Sequence, residues 1–314
     1  MYTLSRRDFL AAAAFLTARA YGASNTPGFF RRTGLAIGLQ LYTVGDDLNR
    51  DFDGTLAAIA KIGYRSVELA GLSGRTVAEW RQSLDRTHLK CPSMHVPPHA
   101  KSGMSLDDLG ALADVAHALG AGTIICPMFS LPERFSQTPL PGEDGGKMLA
   151  RLGASMTPDD WKWNADFLNT KGKALKQYGL RFGYHNHNVE LAPLGASTGL
   201  AELIRGTDPA LVAFEMDAGW VVAAGADPLA LLAAYPGRFC AMHVKDVKAS
   251  THPNFGLQMD PCEVGQGTID WKALLAKAHA ANVRQFYVEQ EPPFNKPRLE
   301  SVAISFNYLN RLVA

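Results

Sequence analysis

Residues 183–190 read Gly-Tyr-His-Asn-His-Asn-Val-Glu and close a short apolar, β-rich run. Three later runs of the same kind also end on a polar group. They are Asp217 (before Ala218, Gly219 and Trp220), His243 (before Val244, Lys245 and Asp246) and Glu289 (before Gln290 and Glu291). Imidazole and carboxylate groups gathered at successive strand ends are the donors that a divalent cation takes. Side chains two apart on a strand share a face. His185 therefore shares one with His187, Glu215 with Asp217, His243 with Lys245, and Glu289 with Glu291. A purely structural strand would turn Val, Leu or Ile inward, and burying these charges unpaired is costly. A metal held by His185, Asp217, His243 and Glu289 would offset that cost. The mixed set admits Mn²⁺, Zn²⁺, Co²⁺ or Fe²⁺; its nitrogen donors disfavour Ca²⁺ and, more weakly, Mg²⁺.

To converge, these groups need a scaffold that brings several strand ends to one mouth. Short strands are expected near 35–42, 65–69, 89–96, 122–127, 180–187, 211–217, 238–244 and 284–290. Helical patterns follow each, near 51–62, 75–87, 105–119, 158–178, 197–205, 227–235, 270–280 and 297–313. Eight β–α units in succession predict a single-domain (β/α)8 TIM barrel over residues 31–314. Runs such as Thr123-Ile124-Ile125-Cys126 are apolar on both faces, as a helix-covered parallel sheet requires. Ser105 is the expected N-cap of the third helix, and Thr157 with Pro158 opens the fourth. Two connections, about 128–157 and 245–269, are long. Both leave strand ends, so they would stand over the barrel mouth and could enclose a substrate.

The chain has 314 residues, 47% of them hydrophobic, and a formal net charge of +1. That balance supports a full core and gives no field for nucleic acid or an anionic membrane. No apolar run is long enough for a membrane span. Residues 1–30 are read as a twin-arginine export signal and short linker. Ser5-Arg6-Arg7-Asp8-Phe9-Leu10 precedes an Ala-rich apolar stretch, and Ala18-Arg19-Ala20 offers a cleavage site. The expected address is the periplasm, with the twin-arginine translocase as a passing partner. Cys91, Cys126, Cys240 and Cys262 show no C-x-x-C spacing and read as small core residues.

Taken together, several strings resemble the xylose-isomerase-like barrels grouped as sugar phosphate isomerases/epimerases. They are Gly38-Leu39-Gln40-Leu41-Tyr42-Thr43, Gly63-Tyr64-Arg65-Ser66-Val67-Glu68-Leu69, Tyr184-His185-Asn186-His187, Asp217-Ala218-Gly219-Trp220, His243-Val244-Lys245-Asp246 and Gly265-Gln266-Gly267. The resemblance covers about residues 35–312. It implies metal ligands Glu, Asp, His and Glu from strands five to eight, of which Asp217, His243 and Glu289 match the last three. The first is His185 here. In the family's epimerases the strand-five and strand-eight glutamates also shuttle protons, so this substitution removes one of two symmetric carboxylates. Glu289, His185, Glu68 and His187 are then the catalytic candidates, the resemblance placing a functional glutamate after strand two at Glu68. His95, Lys245 and Trp220 are candidates for holding substrate, and Glu190 and Glu215 could orient a ligand histidine.

The expected chemistry is proton removal beside a carbonyl of a sugar, keto-sugar or polyol, through an enediolate stabilised by one divalent metal. Return of the proton makes an isomerase or epimerase. Loss of a β-substituent makes a dehydratase or lyase, acting on an inositol-like polyol or a 3-keto-glycoside. An endonuclease IV-like phosphodiesterase would need a richer metal cluster and a basic face. A non-catalytic sugar-binding protein would have lost ligands that this chain keeps. A homo-oligomer is compatible with the sequence.

Overall fold

The computed structural model describes residues 27–100 and 103–314. The expected export signal at Ser5–Leu10 and its cleavage site lie outside the described residues. Eight strands close into a barrel: β1 Gly38–Gln40, β2 Ser66–Leu69, β3 Lys90–His95, β4 Thr123–Cys126, β5 Arg181–His185, β6 Ala213–Asp217, β7 Phe239–Val244 and β8 Gln285–Val288. Each pairs in parallel with its sequence neighbours, and β1 pairs with β8 to shut the ring. This is a single-domain (β/α)8 TIM barrel.

All eight expected strands are present, and the differences lie at their ends. β5 stops at His185 and β8 at Val288, so His187 and Glu289 stand beyond the ladder. The barrel interior is filled by side chains. Gly38 on β1 makes room for one of them, since a Cβ there would lie 2.4 Å from the Tyr287 ring. Phe29 and Phe30, expected in a linker, are buried and stack edge-on against Phe286, so they belong to the packed fold.

Helix starts follow local chemistry. Thr157 caps the helix Pro158–Gln177 with a reciprocal bond to Asp160, as Pro158 at the first position foretells. The third helix starts later than expected. Its cap is Asp108, which accepts from the Ala111 amide at 3.0 Å, while Ser105 bonds Asp107 within the preceding turn. The long connections are not bare loops. One carries a helix, Gly145–Ala154; the other carries a small antiparallel ribbon pairing Asp246–Val247 with Pro261–Cys262. Asp246 organises the second: its carboxylate accepts from the Gly265 amide at 2.9 Å and from Trp271 Nε1 at 2.8 Å. The cysteines are unpaired, and all but the half-buried Cys240 are buried.

Candidate active site at the barrel mouth

Asp217 serves two purposes at the end of β6. Its Oδ1 accepts from the Trp220 amide at 2.8 Å and so caps the helix Ala218–Ala223. That bond turns Oδ2 to the barrel axis, where it is buried without a hydrogen-bond partner. Three cationic or neutral nitrogens surround it: Lys245 Nζ at 2.8 Å, His243 Nδ1 at 3.7 Å and His185 Nε2 at 3.8 Å. The lysine contact lacks hydrogen-bonding angles at this oxygen. Asn186 ties β5 to β6 by accepting from the Asp217 amide at 3.2 Å.

His243, in register with Asp217, is fully buried. Glu289 Oε2 lies 2.9 Å from its Nδ1 and Glu68 Oε2 lies 2.7 Å from its Nε2. A neutral imidazole donates from one nitrogen only, so this ring carries a second proton, meets a protonated carboxyl or faces a cation on one side. Burial works against the charged ring, but Glu215 and Glu289 push its pKa well above the ordinary histidine value. Donor atoms from Asp217, His243 and Glu289 come within 4.8 Å of one another, as do donors from His95, His185, Glu215 and His243.

Glu215 occupies the centre of the second group. Its Oε2 is 2.8 Å from His95 Nε2, 3.0 Å from His185 Nδ1 and 3.1 Å from His243 Nε2. The sequence suggested only that it could orient a ligand histidine; sharing a face with Asp217 was the one signal of its place. Burial raises the Glu215 carboxyl, yet His243 and His185 hold it well below the usual range. Four buried carboxylates, Glu68, Glu215, Asp217 and Glu289, thus gather around a single lysine and the imidazoles. Such a concentration of negative charge holds together only with added protons or a bound cation.

The remaining candidates separate by depth. Glu68 is sealed beneath the imidazoles, accepting from Gln40 Nε2 at 2.9 Å and from Ser93 Oγ. Like Asp217 and His243 it is fully buried and off the cavity wall, and from that depth its carboxylate reaches His95 and His243. Lys245 differs from its expected substrate role for a similar reason. Its ammonium is enclosed by Asp217, Glu289 at 2.7 Å and Glu291 at 3.0 Å, with the Trp220 ring 5.0 Å away. Its stem passes over Gly219, where a Cβ would come within 2.7 Å of Lys245 Cγ. His95, His185, His187, Trp220 and Glu289 do line a cavity of about 1260 Å³ above the barrel. The His187 side chain has no hydrogen-bond partner among the described residues, and its backbone amide donates to Glu190 Oε2 at 3.0 Å. Burial and the neighbouring His185 and Lys245 keep the His187 ring well below the ordinary histidine pKa.

The family description "xylose isomerase-like TIM barrel" matches residues 56–312. An inosose dehydratase of Bacillus anthracis is 35% identical over 92 residues, 29% of this chain. The chain spans only 30% of that relative's length. A sugar phosphate isomerase/epimerase from Parabacteroides distasonis superposes with a TM-score of 0.70 at 23% identity, covering 94% of this chain and 98% of the other. The IolI protein, solved with a zinc atom, superposes with a TM-score of 0.61 at 14% identity, over 88% and 98% of the two chains. At these identities the two structures speak for the fold alone.

Proposed function

Because the chain belongs to the xylose isomerase-like TIM barrel family, we propose that it is a divalent-metal-dependent enzyme that removes the proton beside a carbonyl of a sugar, keto-sugar or polyol and works as an isomerase or epimerase. One observation carries this reading. Asp217, His243 and Glu289 bring donor atoms within 4.8 Å of one another, and Glu289 also lines a large cavity. Asp217 Oδ2, which accepts no hydrogen bond although Lys245 lies beside it, and the doubly faced His243 ring suit a cation. Asp217, His243 and Glu289 would hold the ion, with His185 Nε2 as a further donor beside Asp217. When bound, such an ion polarises a carbonyl and acidifies the neighbouring C–H. Mn²⁺, Zn²⁺, Co²⁺ or Fe²⁺ suits the mixed donors, and the zinc atom of the IolI neighbour is in keeping with that.

The chain's own groups would divide the remaining work. His187 presents an unpaired imidazole to the cavity and would take or return the substrate proton. Glu289 and Glu291 line the same cavity and would bind hydroxyls. Trp220 would pack against the sugar ring, with His95 beside it. Lys245 would keep Asp217 and Glu289 ionised from behind.

Elimination is the second reading, and a specific observation favours it. Both carboxylates facing the cavity, Glu289 and Glu291, follow β8, and the histidines on its wall, His95, His185 and His187, come from β3 and from the end of β5. An unlike pair suits removing a proton with one group and protonating a departing hydroxyl or alkoxide with another. The dehydratase activity of the Bacillus anthracis relative agrees with this outcome. Both readings share the first step, so the decisive test is proton exchange. The metal-loaded chain, incubated in D₂O with ketoses, inososes and 3-keto-glycosides, is expected to incorporate deuterium beside the carbonyl of at least one. Asp217→Asn and Glu289→Gln are each expected to slow exchange by about 10²-fold or more. Absence of exchange across the panel would overturn the proposal.

A further inference from the structure

The cavity is larger than its chemistry needs. At about 1260 Å³ it exceeds the roughly 300–1,000 Å³ typical of sites that enclose a drug-sized ligand. His185, His187 and Glu289 form its polar floor, and Tyr42, Ser73 and Gln258 add isolated polar groups higher up. The outer wall is mostly apolar, with Leu72, Pro127, Met128, Leu257, Met259 and Pro292. These come from the connections after β2, β4, β7 and β8, so the apolar chamber is assembled from four separate segments. A bare sugar or cyclitol seated on the floor would leave that wall facing water.

The wall is also held in place at a cost. Leu257 sits in the left-handed region, with φ of 55°. A leucine adopts that conformation rarely, and such strain persists where surrounding contacts enforce it. The enforcing residue is Asn188, next in the chain to His187. It is fully buried, and its Oδ1 accepts from the Leu257 amide at 3.1 Å. Its Nδ2 donates to Asn254 Oδ1 at 2.9 Å and to Asn254 O at 3.0 Å. The floor and the wall are thus fastened through one side chain. The other long connection meets the same leucine: a Cβ on Gly146 would lie 3.8 Å from Leu257 Cδ1. Methionine side chains at two wall positions adapt to irregular apolar shapes.

We propose that the substrate is a conjugate: a sugar or polyol ring on the polar floor, bearing an uncharged apolar group of at least aryl size that fills the outer chamber. This rests on the sugar or polyol reading above and extends it to the non-reacting half of the molecule. The test uses the metal-loaded full chain and three uncharged probes, the methyl, phenyl and 2-naphthyl 3-keto-glucosides, with binding measured by calorimetry. The naphthyl probe is expected to bind about tenfold or more tighter than the methyl probe, as burial of an aromatic surface implies. Met259→Asp and Met128→Asp are expected to bring that ratio toward one, with Met259→Thr used if an aspartate prevents folding. Equal affinities for the three probes in the unaltered chain would overturn this inference and leave the sugar reading standing. Failure of every probe, the methyl one included, would overturn this inference, and the sugar reading falls with it if the deuterium-exchange panel fails as well.

Discussion

At the scale of single residues, the informative groups are those with more obligations than their neighbours can meet. Asp217 spends one oxygen on a helix cap and leaves the other beside the Lys245 ammonium without a hydrogen bond. His243 has carboxylates at both nitrogens. Glu215 contacts three imidazoles and so fixes where each ring points. Partners that orient metal-binding histidines alter metal affinity without touching the metal, typically about 10–100-fold. Glu215→Gln is therefore expected to weaken divalent-ion binding by about that factor, measured by competition with a chelator of known affinity. Unchanged affinity would remove Glu215 from any role in the metal site.

At the scale of elements, the long connection after β4 is pinned where it enters the helix Pro158–Gln177. Arg134, within the connection, pairs with Asp160, which also accepts from the Thr157 amide at 2.6 Å and Thr157 Oγ1 at 2.7 Å. One carboxylate thus joins a loop to a helix start. The Arg134 bond, helped by Thr157 and opposed by burial, holds the Asp160 carboxyl down to about 2. A carboxyl depressed in the folded state contributes stability above its unfolded pKa, and that contribution fades as pH falls through the folded value. Asp160→Ala is expected to cost about 1–2 kcal/mol near neutral pH. The gap between variant and parent in denaturant melts should narrow as pH drops from about 4 toward 2. A gap that stays constant over this range would show that the carboxylate's charge is not what pins the loop.

At the scale of the whole molecule, the buried negative charge makes stability depend on what occupies the barrel mouth. A ligand that binds only the folded chain stabilises it by mass action, about 2.7 kcal/mol at a hundred times its dissociation constant. Chelation is therefore expected to lower the Tm, and restoring Mn²⁺ or Zn²⁺ to raise it again. An identical Tm with and without divalent ions would count against a metal centre joined to the fold. The first residues carry a separate proposal, that Ser5–Leu10 directs export of the folded chain to the periplasm. Fractionation of cells is expected to find the chain outside the cytoplasm, and a lysine pair in place of Arg6 and Arg7 to retain it inside.

The alternation of apolar strands and amphipathic helices was enough to set the barrel. Each β–α unit carries its own periodicity and turn chemistry, and eight parallel units close in one way. The two long connections and the line Asp217, His243, Glu289 were legible for the same reason, because strand ends can be counted along the chain. Depth within the barrel could not be counted. Period-two alternation says that Glu68, Glu215, Lys245 and Glu289 face inward, but the stagger between strands decides their layer. That stagger sinks Glu68 beneath His243, makes Glu215 the hub of three imidazoles and closes three carboxylates around Lys245. The apolar chamber was equally out of reach, since its wall comes from segments that meet only once the ring of strands is shut.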